Sequence, residues 1–237
     1  MRKLRTTLLT LALAGVFSIA PATNAARIAL DIGHNLAKPG TLSAYGETEF
    51  SYNLALAKVI AQTLRNAGHS VTLIGDDGLM NELKPRAEAA AGHDLFISVH
   101  HDSMKEEFLE EWLVNGQPQL MSERFRGYSL YVNSDGPEYA RSLHCASQIS
   151  AKLQEAGFSP TLHHTDNIAG ENRPMLDRQL GIYQANFAVL RHNTIPAILL
   201  EAGVIRHPDE AKLLRLTTYQ QKIAESIATA IHCHSVF

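Results

Sequence analysis

The sequence predicts an α/β fold: three α/β/α layers around a mostly parallel, twisted sheet of about six strands, with helices on both faces. Three observations lead there. Apolar runs at 27–32 (RIALDI), 95–99 (LFISV) and 197–200 (AILL) are continuous rather than alternating, as in strands buried on both faces. Stretches of helical periodicity lie between them, which gives the strand–helix–strand alternation of parallel units. No internal repeat, heptad pattern or Ser/Gly/Pro-rich linker divides the 237 residues, so a single domain over 26–237 is expected.

Arg2, Lys3 and Arg5 precede an apolar run at 8–19, followed by Pro21, Ala22, Thr23, Ala25 and Ala26. This is the pattern of a secretory signal peptide over 1–25, cut after Ala22 or Ala25. The run is shorter than the roughly 20 residues a membrane span requires, so no span is expected after cleavage and the location is periplasmic or extracellular. The first strand, 27–32, follows. A helix over 51–67 places Leu54, Ala57, Ile60, Ala61 and Leu64 at three- and four-residue intervals, and Gly68 stops it before a short strand at 70–74. A helix at 85–91 leads into the strand at 95–99. The segment 103–112 (SMKEEFLEEW) reads as a short helix capped by Ser103, with its glutamates outward. A strand at 128–132, a helix at 138–156 closed by Gly157, the strand at 197–200 and a helix at 217–231 complete the series.

The net charge is −3, or −6 without the three leader cations, and no basic stripe is present; this excludes nucleic acid as a partner. Cys145 and Cys233 lack metal-binding spacing and form either one disulfide or two buried thiols.

Parallel sheets place their chemistry beyond the carboxyl ends of the strands. Each long run here ends in a titratable residue: His34 after the first, His100 and His101 after the second, Glu201 after the third. Such groups are costly to desolvate without a partner. Two histidines and a carboxylate are the usual ligands of a catalytic zinc that keeps one position open. Glu49 supplies that carboxylate best, because the loop containing Gly40 and Gly46 lets it turn back towards the first strand; Glu47 is the alternative. Glu201 then carries a proton between water and leaving group, with Gly203 permitting a tight turn that aims it into the cleft. Its plainer role is a helix N-terminal charge or an ion-pair partner.

The segments IALDIGH (28–34), GETEFSYNLALA (46–57), FISVHHDS (96–103) and FAVLRHNTIPAILLEAGVI (187–205) together resemble the zinc-dependent N-acetylmuramoyl-L-alanine amidases of the amidase-3 type. The resemblance implies one zinc per chain on His34, Glu49 and His100, with Glu201 as catalytic carboxylate. It selects His100 over His101, because the second ligand follows a Ser-Val pair and precedes a small residue and Asp. It also implies that Asp102 orients a ligand and that the substrate is peptidoglycan or a muropeptide, cut between the lactyl group of N-acetylmuramic acid and L-alanine. A monomer and an activator protein are expected.

This sequence departs from the family pattern at 35–39, at His101 and at 204–207, which bears on substrate fit. Some members are held inactive by a helix in the cleft, so 103–112 is either such a lid or a solvated acidic helix. The polar loop 162–174 carries His163, His164, Glu171 and Arg173; it either lines the cleft, with Arg173 on substrate carboxylates, or is a surface loop. Two other functions remain open: a metallo-peptidase or carboxypeptidase acting on wall peptides, and a non-catalytic zinc- or wall-binding module.

Overall fold

Side-chain alternation decides the layers. Along β1 (Arg27–Ile32), Ile28, Leu30 and Ile32 face one side of the sheet and Ala29 and Asp31 the other. All five are buried, so both sides must be covered. The structure, a computed structural model, describes residues 25–165 and 172–235. The expected signal peptide lies outside the described residues, except for Ala25.

The chain runs through β1, α1 (Glu49–Asn66), β2 (Ser70–Ile74), α2 (Leu83–Glu88), β3 (Leu95–Asp102), β4 (Glu110–Val114), β5 (Gln117–Met121) and β6 (Ser129–Val132). It continues through α3 (Tyr139–Glu155), β7 (Met175–Asp177), β8 (Ile182–Gln184), α4 (Ala188–Arg191), β9 (Ala197–Val204), α5 (Pro208–Arg215) and α6 (Thr217–Ala230). Seven strands form the main sheet in the order β2-β1-β3-β9-β6-β8-β7. The pairs β1–β2, β1–β3, β3–β9 and β6–β8 are parallel, while β6–β9 and β7–β8 are antiparallel. Leu56, Ile60 and Leu64 of α1, Ile149 and Leu153 of α3, and Ile223 and Ile227 of α6 pack on one face of this sheet. The opposite face is thinner, with Phe96, Tyr131, Tyr183 and Leu199 meeting Val189 and Leu190 of α4 and Ala90 beyond α2.

Three details differ from expectation. The segment 103–112 is not a helix: a 3-10 turn at Glu106–Phe108 is followed by the β4–β5 hairpin, a separate two-stranded sheet. Asn115 and Gly116, with φ of 52° and 77°, turn the chain back on itself, and this pairing overrides the helical propensity of the glutamates. Gly203 lies inside β9 rather than in a turn; a Cβ there would meet Leu214 Cδ1 at 2.9 Å, so the glycine lets α5 approach the strand. The sheet has seven strands rather than about six, the short β7 and β8 having three residues each. Cys145 and Cys233 form a disulfide that ties α3 to the chain after α6. Among the described residues, no helix is long and apolar enough to cross a membrane.

Candidate active site

The first strand delivers His34 through an unusual backbone. His34 has φ 67°, the left-handed region that non-glycine residues rarely adopt. Arg86 of α2, 1% exposed, sits beneath it. Its guanidinium donates to Asp31 Oδ1 at 2.7 Å, to the carbonyls of Ile32 at 2.5 Å and Met80 at 2.9 Å, and to the carbonyl of His34 itself. Ser98 Oγ donates to the other Asp31 oxygen at 2.6 Å. One buried cation therefore organises the turn that presents His34.

Glu49 is the first residue of α1 rather than a residue before it, with Thr48 as its N-cap. One turn on, Asn53 Nδ2 donates to the Gly33 carbonyl at 3.1 Å and to Glu49 Oε1 at 3.3 Å, tying the helix start to the end of β1. His100 comes from β3. His34 Nε2 lies 2.9 Å from Glu49 Oε2, and His100 Nδ1 lies 3.0 Å from Glu49 Oε1. One ligand atom from each of the three residues lies within 4.8 Å of the others. Burial alone would raise the pKa of Glu49, but hydrogen bonds from His100 and His34 hold the carboxyl well below its ordinary range. The cradle tolerates no extra carbon: a Cβ at Gly33 would stand 2.3 Å from the His100 ring, and one at Gly40 would stand 2.3 Å from Glu49 Oε2.

Glu201 is paired with His100 in the parallel β3–β9 register, which puts both side chains on the same face. Both line a cavity of about 690 Å³ that also reaches His34, Lys38, Arg86 and Phe187. The residue is partly exposed, but its Oε2 is buried and has no hydrogen-bond partner among the described residues. Burial, then the charges of Asp102 and Glu49, push its pKa well above the ordinary carboxyl value. A carboxyl so placed holds its proton more tightly than a free one and can exchange it with whatever enters the cavity.

His101 faces the other way. It is buried beside Tyr52, its Nδ1 lies 2.8 Å from Asn53 Oδ1, and burial pushes its pKa down to about 3, so it is neutral. Its backbone N–H points at Glu49 Oε1, 3.4 Å away. Glu47 is not in the cluster: it pairs with Arg215 at 2.7 Å and accepts from the Tyr52 hydroxyl at 3.0 Å. Asp102 Oδ2 meets His164 Nε2 at 2.5 Å rather than a residue of the His34 cluster. Arg173 lies over the Phe187 ring and lines a second cavity of about 230 Å³ with His164 and Glu201, while Glu171 lies outside the described residues. The sequence reading missed Arg86, because a lone arginine on a short helix carries no signal. It also missed Asn53, whose signal was its spacing four residues after Glu49.

A family model described as Amidase_3, N-acetylmuramoyl-L-alanine amidase, matches residues 28–233. The chain belongs to the N-acetylmuramoyl-L-alanine amidase family. This enzyme is thus a peptidoglycan hydrolase that cleaves the amide between N-acetylmuramic acid and the L-alanine of the stem peptide. The amidase is 27% identical over 230 residues to N-acetylmuramoyl-L-alanine amidase AmiA of Salmonella typhimurium, covering 86% of this chain and 74% of that protein. The crystal structure of an N-acetylmuramoyl-L-alanine amidase from Clostridium difficile superposes with a TM-score of 0.67 at 23% identity, covering 88% of this chain and 96% of that one. The CwlD amidase of Clostridioides difficile, solved in complex with the GerS lipoprotein, superposes with a TM-score of 0.63 at 20% identity, covering 89% and 98%. The His34, Glu49 and His100 cluster is a possible metal-binding group, in keeping with the zinc dependence typical of the family.

Proposed function

We propose that His34, Glu49 and His100 hold one zinc ion and that Glu201 moves the proton in amide cleavage. The donor set supports this reading: two imidazole nitrogens and one carboxylate, already gathered at 2.9 and 3.0 Å around Glu49, are the usual ligands of a zinc that keeps a position open. Zinc held there supplies a Lewis acid for the scissile carbonyl and lowers the pKa of water. The chain's own groups do the rest. Glu49, held ionised, keeps both imidazoles turned inward; Arg86 and Asn53 keep His34 and Glu49 from relaxing outward. Glu201 takes the proton of the attacking water and delivers it to the alanine nitrogen as the C–N bond breaks, so one carboxyl serves in both directions.

The observation that carries this reading is the His100–Glu201 register, which sets a ligand and a buried carboxyl on adjacent strands facing one cavity. Secretion fits the same reading: the leader-like segment at 1–25 and the Cys145–Cys233 disulfide both suit an oxidising compartment. The domain over 26–237 acts as a monomer on intact wall or released fragments, under an activator protein.

The test is digestion of purified peptidoglycan with and without a chelator, followed by product masses. The expected products are stem peptides beginning with L-alanine and peptide-free glycan, both lost on chelation. A cut within the peptide, or one insensitive to the chelator, would overturn the reading.

A further inference from the structure

We propose that Asp102, His163 and His164 form a second divalent-metal site, separate from the His34, Glu49 and His100 cluster. Asp102 Oδ2 lies 2.5 Å from His164 Nε2 and 3.5 Å from His163 Nε2, and the three ligand atoms lie within 4.8 Å of one another. A tetrahedral zinc with bonds of about 2.0–2.1 Å separates its ligand atoms by roughly 3.3 Å. The second cluster brackets that spacing, as the first, at 2.9 and 3.0 Å, falls just inside it.

The imidazoles are built for ligation rather than for the surface. His163 is 2% exposed, its ring stacks on Phe125, and its Nδ1 lies 2.8 Å from Thr161 Oγ1. In the tautomer that ligation requires, His163 Nδ1–H donates to Thr161 Oγ1 and Nε2 faces Asp102, the kind of hydrogen bond that orients a metal-ligating histidine. His164 follows in the same 3-10 turn, 13% exposed at its side chain, with Tyr131 and Tyr183 edge-on to its ring. Asp102 is held in turn: its Oδ1 accepts the Ser103 N–H at 2.8 Å, and the β3–β9 register shifts between His100 and Asp102, separating its carboxylate from the first cluster.

The position has a consequence for the reaction. Glu201 lines both cavities, the larger with His34 and His100 and the smaller with Asp102 and His164. A cation in the second cluster therefore acts on the same carboxyl as one in the first, and favours its ionised form. A divalent ion that accepts imidazole, such as zinc, suits two nitrogens and one oxygen.

The probe is zinc itself. Purified chain is equilibrated with zinc, freed of loosely held metal and assayed for metal per chain, with circular dichroism as the check on folding. Two ions are expected for the wild type. One is expected for His164→Ala, one for Glu49→Ala and none for the double variant. Thr161→Val, which keeps the volume and removes the hydroxyl, should weaken the second ion by about 10–100-fold and leave the first in place. A single ion in the wild type that vanishes in Glu49→Ala would overturn the proposal. So would a wild-type count of two that His164→Ala leaves unchanged. A single wild-type ion together with a raised KM for muropeptide in His164→Ala would instead assign the cluster to binding substrate carboxylates, again overturning it. Loss of the Glu49-dependent ion alone would bear on the first centre and not on this one.

Discussion

Replacing Arg86 by methionine tests whether the active-site turn is held from below. The guanidinium is buried and its carboxylate partner, Asp31, is fully buried, so the substitution leaves a charge whose remaining side-chain partner among the described residues is Ser98 Oγ. Breaking such a pair costs about 3–5 kcal/mol. The carbonyls of Ile32, His34 and Met80 lose a donor as well, although Asn35 Nδ2 still reaches Met80 at 3.4 Å. A buried acceptor left unsatisfied costs about 1–3 kcal/mol, and the His34 carbonyl, near the cavity, regains water. A loss of about 4–6 kcal/mol follows, against a total of about 5–15 kcal/mol for a typical domain. His34, no longer pinned at φ 67°, should lose zinc affinity by about 10–100-fold. Adding Asp31→Asn removes the stranded charge but returns no donor to the carbonyls, so stability should partly recover while zinc affinity stays low. Urea unfolding and zinc titration against a competing chelator read the two effects. A loss below about 1 kcal/mol, or a zinc affinity within about twofold of wild type, would refute the reasoning.

Other outcomes follow from the same structure. Gly40→Ala should leave the fold largely intact but empty the His34, Glu49 and His100 centre, since the new carbon would stand 2.3 Å from Glu49 Oε2 at a φ of +78°; a variant that keeps the wild-type zinc count by elemental analysis would contradict this. Reducing Cys145–Cys233, which closes a loop of 88 residues, should cost up to about 4.6 kcal/mol in urea unfolding, and no measurable loss would dispute that the bond constrains the unfolded chain. Glu210, buried against the Val204 and Gly127 amides, has its pKa raised by burial from 4.5 to about 7. The native state then binds this proton more tightly than the unfolded chain. Its stabilising contribution is complete below pH 4.5 and is lost as pH rises through about 7, a fall of roughly 3 kcal/mol. Glu210→Gln should flatten that part of the stability–pH curve, and an unchanged slope would assign it to another group.

The long strands were legible because burial on both faces leaves an unbroken apolar run, as in β1, β3 and β9. The ends of those runs also pointed to His34, His100 and Glu201, since a titratable residue closing a buried strand stands out against its neighbours. The hairpin was harder. SMKEEFLEEW has the glutamates of an exposed helix, and the signal that decides it, Asn115-Gly116, lies just beyond that window. β7 and β8 are three residues each, too short to show a period; β8 is a strand because β6 offers it an edge, and β7 because β8 does. Arg86 and Glu210 were not legible at all. Each is a lone charge on a helix, and only the fold reveals that Asp31 waits for one and two backbone amides for the other.

Glu201→Gln in zinc-loaded protein offers the most direct measurement, because glutamine keeps the shape of the side chain and cannot carry the proton. Metal content and rate of release of L-alanyl stem peptide are read on the same preparation. The expected result is full occupancy of the His34, Glu49 and His100 centre with turnover down by about 100-fold or more. A glutamine variant that is fully metallated and releases peptide at the wild-type rate would show that the proton travels by another route.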